Sequence, residues 1–202
     1  MKNYKFLFDL GNVFFDWNPK YYFKNIFKNN FEMKYFLAEI CNENWNIKQD
    51  AGRSIKEAEI ELIQKFPKYN NFIKLYYKNH RKMINGVFQD SVDIHKELKK
   101  KNFKCYVLSN WSSETFIGMK EEYPFLYQFD DIMISGEEKL VKPDHKIFKL
   151  AIYRFDLVPE NTIFIDDNIE NIKSAEKLKF NTIHFTNQKK IKTKISDFVN
   201  LN

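Results

Sequence analysis

The segment Phe6-Leu7-Phe8-Asp9-Leu10-Gly11-Asn12-Val13 constrains the fold more than any other, because it closes a continuous apolar run with a carboxylate and then a glycine. A run of this kind fits a parallel strand covered on both faces, and ligands of such sheets gather beyond the carboxyl ends of their strands. Asp9 is then placed as a functional group. The same residues also fit a plain turn, since Asp and Gly are ordinary turn formers.

The design recurs twice. Phe103-Lys104-Cys105-Tyr106-Val107-Leu108 ends in Ser109-Asn110, and Thr162-Ile163-Phe164-Ile165 ends in Asp166-Asp167-Asn168. Between them Leu140-Val141-Lys142-Pro143-Asp144 places a cation in a proline-marked loop ahead of a helical pattern. A carboxylate, a hydroxyl, an ammonium and a paired carboxylate are what phosphoryl transfer through an aspartyl intermediate requires. They supply a nucleophile, donors to the phosphoryl oxygens, and oxygen ligands for a divalent cation.

With these four segments in this order, the whole chain resembles the haloacid dehalogenase-like hydrolases. Asp9 falls in the first motif of that family, Ser109 in the second, Lys142 in the third, and Asp166 with Asp167 in the fourth. The wording around Asp9, Ser109 and Asp166 through Asn171-Ile172, with the Gly86-Val87-Phe88 approach to the second core strand, is most similar to a bacterial subgroup that includes α-D-glucose-1-phosphate phosphatases. The resemblance implies an Mg²⁺-dependent phosphatase acting on a small phosphorylated metabolite such as a sugar phosphate. It makes Asp9 the nucleophile, with Ser109, Asn110 and Lys142 on the phosphoryl oxygens. Asp9, the Gly11 carbonyl and Asp166 would be the metal ligands, with Asp167 and Asn171 behind them. Trp111 stays open between packing and site.

One position departs from the pattern. Most phosphatases of the family carry a second Asp two residues after the nucleophile, whose side chain protonates the leaving alcohol; this chain has Gly11. The carbonyl that serves the metal is kept, but a proton donor worth on the order of 10²–10⁴ in rate is lost. Three readings remain open: an acidic leaving group such as an anomeric hydroxyl, a substitute acid for which Asp16 is nearest in sequence, or a metal-independent dehalogenase. The adjacent Asp166-Asp167 pair favours a cation site over a halide pocket. A non-catalytic binding module is a further alternative resting on Gly11 alone.

About a hundred residues separate Asp9 from Ser109, far more than one crossover helix needs. Apolar residues at three- and four-residue steps predict helices over 19–27, 31–43, 54–66 and 71–85, with Ser54 and Glu57 as a capping box and Pro67 as a stop. In the light of the resemblance this is a small helical cap, residues 16–88, inserted into an α/β core of residues 1–15 and 89–202. The core reads as helix 90–101, strand 105–108, helix 113–123, strand 131–135, helix 145–154, strand 163–165, helix 168–178 and strand 182–185. Such alternation predicts an α/β fold with a doubly wound parallel sheet.

The chain has 202 residues and a formal net charge of +6, but its lysines are scattered and no nucleic-acid motif accompanies them, so no nucleic-acid partner is expected. No apolar run approaches the roughly 20 residues of a membrane span, and Lys2, Lys5 and Phe6-Leu7-Phe8 do not make a signal peptide. A cytoplasmic, monomeric enzyme is expected. Cys41 and Cys105 read as free buried thiols in a helix and a strand, and the histidines at 80, 95, 145 and 184 share no motif.

Overall fold

The computed structural model describes residues 4–201; residues 1–3 and 202, assigned above to the α/β core, lie outside them. In chain order the strands are β1 (Lys5–Phe8), β2 (Phe15–Trp17), β3 (Ile84–Val87), β4 (Lys104–Ser109), β5 (Asp131–Ile134), β6 (Thr162–Asp166) and β7 (Asn181–His184). The first five helices are α1 (Lys20–Phe23), α2 (Asn30–Tyr35), α3 (Glu43–Asp50), α4 (Ile55–Lys65) and α5 (Asn70–Lys78). They are followed by α6 (Gln89–Lys100), α7 (Ser113–Phe116), α8 (Met119–Glu122), α9 (Ser135–Glu138), α10 (His145–Arg154), α11 (Ile169–Lys177) and α12 (Ile191–Ser196).

Five strands form one parallel sheet in the order β5-β4-β1-β6-β7. Side chains alternate across β1: Phe6 and Phe8 enter an apolar cluster with Val92 and Leu98 of α6 and Ile195 of α12, while Leu7 enters another with Phe148 of α10 and Ala175 of α11. Helices thus cover both faces, which is why these strands read as unbroken apolar runs. The chain leaves β1 toward β4 on one side and later returns through β6 on the other. The carboxyl end of β1 is therefore the topological switch point of the sheet.

Helices α1 to α5 pack around a separate apolar cluster that includes Phe23, Phe36, Trp45, Leu62, Ile73 and Tyr76. The capping box at α4 is formed: Ser54 Oγ accepts from the Glu57 N–H, and the Glu57 carboxylate accepts from the Ser54 N–H. Several boundaries differ from those read in the sequence. The 31–43 segment is α2 followed by a π-helical turn, Phe36–Ile40, which ends at Cys41. Cys41 thus lies just past a helix, although it is buried and free as expected. Helix α3 has no counterpart in the sequence reading, because only Trp45 and Gln49 of its eight residues are buried and it shows little apolar periodicity. The 71–85 segment is helical only through Lys78. It then turns through residues 80–83 into β3, which pairs antiparallel with β2. The 113–123 segment breaks at Gly118, whose φ of 79° ends one short helix and starts another.

Candidate active site

Asp9 directly follows β1, and its N–H donates to the Ile165 carbonyl at 2.9 Å, which ties the end of β1 to β6. The chain then turns sharply. The Leu10 carbonyl accepts from Phe14 and Phe15 at 2.9 and 3.0 Å, and Asn12 adopts φ 51°. This turn puts the Gly11 backbone on the wall of a cavity of about 480 Å³ that also exposes Asp9, Asn110, Lys142, Asp167 and Asn171.

Lys142 organises the floor. It is 2% exposed, and its Nζ lies 2.6 Å from Asp166 Oδ2 and 3.0 Å from Asp9 Oδ1 while donating to the Leu108 carbonyl at 2.8 Å. Its main chain is clamped by Asn110, whose Nδ2 donates to the Lys142 carbonyl and whose Oδ1 accepts from the Lys142 N–H, both at 2.9 Å. Burial works against the ammonium, but Asp166 and Asp9 outweigh it and hold the Lys142 pKa above its ordinary value. Ser109 is fully buried at the end of β4.

The three carboxylates differ in environment. Burial pushes the Asp9 pKa up to about 7; Lys142 opposes this, Asp166 and Asp167 add to it, and the Ser109 hydroxyl pulls the other way. Asp166 is fully buried, and both its oxygens are engaged. Oδ1 accepts from the Asn168 N–H at 2.8 Å and from Asn171 Nδ2 at 3.1 Å, and Oδ2 accepts from Lys142. Asp167 instead faces the cavity, with Asn12 Nδ2 donating to its Oδ2 at 3.1 Å. Burial and then Asp166 raise its pKa, and Asn12 opposes them.

Oxygens of Asp9, Asp166 and Asp167 lie within 4.8 Å of one another, against the single ammonium of Lys142. So much clustered negative charge out of bulk water fits a hard divalent cation, which the Gly11 carbonyl would also serve.

The structure therefore brings together Asp9, Gly11, Ser109, Asn110, Lys142, Asp166, Asp167 and Asn171. Within the acidic pair Asp167 is the cavity-facing member and Asp166 anchors Lys142, and both stay within the same metal-capable cluster as Asp9. Asp16 is not brought in. It lies on β2 outside the cavity, with Tyr21 donating to it at 2.7 Å and Asn85 at 3.0 Å. Trp111 is a packing residue, 5% exposed against Phe15, His80 and Phe116. Sequence reasoning missed Asn12, the clamp made by the Asn110 side chain, and the contribution of α3, whose Glu43, Asn46 and Asp50 line the cavity.

Fold and site together define a hydrolase built on a doubly wound parallel sheet, with its acidic cluster at the switch point. The model of the haloacid dehalogenase-like hydrolase family matches residues 6–185, and the chain belongs to that family. It is 24% identical over 186 residues to a sesquiterpene phosphatase of Aspergillus oryzae, covering 89% of this chain and 88% of the relative. Among solved structures, a HAD-like hydrolase from Porphyromonas gingivalis superposes with a TM-score of 0.76 at 22% identity, over 99% of this chain and 100% of the other. A HAD family enzyme from Bacteroides thetaiotaomicron, in complex with magnesium and inorganic phosphate, does so with a TM-score of 0.69 at 23% identity, over 91% and 94%. Among the described residues no helix is long and apolar enough to cross a membrane.

Proposed function

We propose that this hydrolase is a phosphatase that transfers the phosphoryl group of a small metabolite to Asp9 and then to water. The observation that carries the reading is the grouping of three carboxylates around one buried ammonium at the switch point of the sheet. Asp9, the Gly11 carbonyl and Asp167 would hold Mg²⁺, with Asp166 and Asn171 supporting them. When bound, the cation offsets the charge of the phosphoryl oxygens against the attacking carboxylate. Lys142 favours the ionised form of Asp9 and orients it, Ser109 and the Asn110 N–H donate to the equatorial oxygens, and Asp9 attacks phosphorus in line.

Residues 16–88 act in this reading as a cap that excludes water from the strand ends. The cavity size suits a small metabolite, and its upper wall mixes Trp17, Leu37 and Tyr76 with Asn18 and Asn46. This wall supports a sugar phosphate, with α-D-glucose 1-phosphate as the first candidate. The relatives that are a phosphatase by name and a magnesium–phosphate complex support the same class of chemistry.

A screen of sugar phosphates, nucleotides and acyl phosphates with Mg²⁺ and with excess EDTA tests the reading. Phosphate release that EDTA abolishes is expected. Equal turnover in EDTA, or halide release from a 2-haloacid in place of phosphate release, would overturn it in favour of a dehalogenase.

A further inference from the structure

A phosphatase that expels an alkyl alcohol has to give a proton to the leaving oxygen, and Gly11 has no side chain with which to do so. Two carboxyl groups line the cavity outside the cluster around Lys142: Glu43 and Asp50, both on α3. Glu43 is exposed in the first turn of its helix. Asp50 is built in, at the last residue of α3 where the helical unit meets the loops that follow β4 and β5.

We propose that Asp50 is the catalytic acid of this enzyme, delivering a proton to the leaving-group oxygen from the helical unit rather than from the strand that carries the nucleophile. The inference rests on the phosphatase reading above.

Three features of the geometry carry it. First, the position of Asp50 is fixed from both units. Ser135 Oγ donates to its main-chain carbonyl at 2.6 Å and accepts from the Trp111 N–H at 2.9 Å. The following loop is seated by two glycines. A Cβ on Gly52, which has φ 91°, would lie 3.0 Å from the Gly136 carbonyl oxygen. One on Gly136 would lie 2.4 Å from the Ser113 nitrogen. The Gly136 contact leaves no room for a side chain, and the φ of Gly52 disfavours one, so the approach of this loop to the core depends on both positions.

Second, the Asp50 side chain is held by donors alone. Asn46 Nδ2 donates to Asp50 Oδ2 at 3.0 Å, and the Ser112 backbone in the loop after β4 favours its ionised form. The Asn46 donor is itself oriented by a chain of hydrogen bonds: Arg53 to Gln49, Gln49 to the Tyr77 hydroxyl, and that hydroxyl to Asn46 Oδ1. A proton on Asp50 thus has no acceptor in these partners and is left for the cavity.

Third, the surroundings let Asp50 carry that proton near neutrality. Burial raises its pKa to about 7, the Ser112 backbone opposes the rise, and Asp9 across the cavity adds to it. From α5 it faces Tyr76 and Tyr77, whose phenols burial pushes far up, so they stay neutral. Asn46 on its own helix is neutral, and Arg53 is engaged by Gln49 and Glu61.

The proton balance closes. In the first step an Asp9 oxygen bonds to phosphorus, the ester P–O bond breaks, and the departing oxygen takes the Asp50 proton to leave as the alcohol. In the second step water attacks phosphorus, Asp50 takes its proton, and the Asp9–phosphorus bond breaks to release phosphate and restore both groups.

The test compares 4-nitrophenyl phosphate, whose leaving group needs no proton, with a primary alkyl phosphate such as glucose 6-phosphate. Asp50→Asn is expected to lower kcat/KM for the alkyl ester by about 10²–10⁴ and that for the aryl ester by no more than about threefold, because kcat/KM ends with transfer to Asp9; kcat should fall for both esters through the shared second step. Asp50→Glu should retain part of the alkyl activity, and Gly11→Asp placed on Asp50→Asn should recover at least about tenfold of it. Should Asp50→Asn not fold, the wild-type pH profile decides: kcat/KM for the alkyl ester should fall above about pH 7, and that for the aryl ester should not.

Equal losses of kcat/KM on both esters, or identical basic limbs of kcat/KM for the two, would overturn the assignment of Asp50 while leaving the phosphatase intact. A wild-type enzyme that releases phosphate from neither ester with Mg²⁺ would overturn the phosphatase reading itself.

Discussion

His95 shows how strongly burial acts under the site. Its imidazole is fully buried, stacked on Phe129 with ring centroids 3.9 Å apart and edge-on to Phe8 and Phe14. Neither ring nitrogen has a hydrogen-bond partner among the described residues. Burial, with a smaller push from Lys99, lowers its pKa from 6.5 to about 4. The folded value lies below the unfolded one, so between these pKa values the unfolded chain binds more protons, and stability falls as pH drops through that window.

At pH 5 an unfolded histidine is almost wholly protonated while the buried ring is about one-tenth protonated. The linkage cost at that pH is about 2 kcal/mol, reaching about 3 kcal/mol below pH 4. Replacing the ring by leucine removes that cost. At pH 8, losing the stack costs about 1 kcal/mol and relieving the unpaired nitrogens returns about 1–3 kcal/mol, so the variant should be at least as stable as wild type there. Urea unfolding of wild type and His95→Leu at pH 8 and pH 5 measures the difference, and His80 and the carboxylates cancel because both proteins keep them. Wild type should lose about 2 kcal/mol more than the variant over this interval. An identical loss in the two proteins would refute the reasoning.

Three further outcomes bear on the site. Lys142→Met leaves Asp9 and the fully buried Asp166 without their cation, and urea unfolding should show a loss of about 3–5 kcal/mol together with loss of turnover. Asp167→Ala should raise the Mg²⁺ concentration needed for half-maximal activity by at least about tenfold, whereas Asp166→Asn should act mainly through the Lys142 geometry and show in stability. Gly11→Asp should fold normally, because its Cβ meets only Asp9 Oδ2, at 3.9 Å, and no positive φ has to be kept; a thermal melt within a few degrees of wild type is the expected result.

The parts of this architecture that were legible in the sequence are those set by local runs. β1, β4 and β6 are continuous apolar stretches, and each places its polar terminus at the strand end, so Asp9, Ser109 and the Asp166-Asp167 pair stand out as candidates from their positions and the order of the segments. Lys142 was legible through its proline loop. What stayed hidden depends on contacts between distant segments. Asp50 reaches the cavity through α3, which has little apolar periodicity, and through two glycines some eighty residues apart.

Which of Asp166 and Asp167 faces the cavity was equally hidden, because neighbouring residues at a strand end point in opposite directions and only the position of Lys142 settles which is buried. Asp16 illustrates the converse. It is the carboxylate nearest to Gly11 in the chain beyond Asp9, yet the β2–β3 ribbon carries it to Tyr21 and Asn85 instead of the cavity. That ribbon joins residues about seventy apart over three- and four-residue strands, too short and too distant for any pattern to reveal.

The central claim is that Asp9 becomes covalently phosphorylated. Rapid-quench trapping of the enzyme with a ³²P-labelled phosphate ester and Mg²⁺, followed by peptide mapping, tests it most directly. The account predicts a hydroxylamine-sensitive label on the peptide carrying Asp9, absent in Asp9→Asn and absent with EDTA. Turnover without any label on that peptide, or label retained in Asp9→Asn, would contradict it.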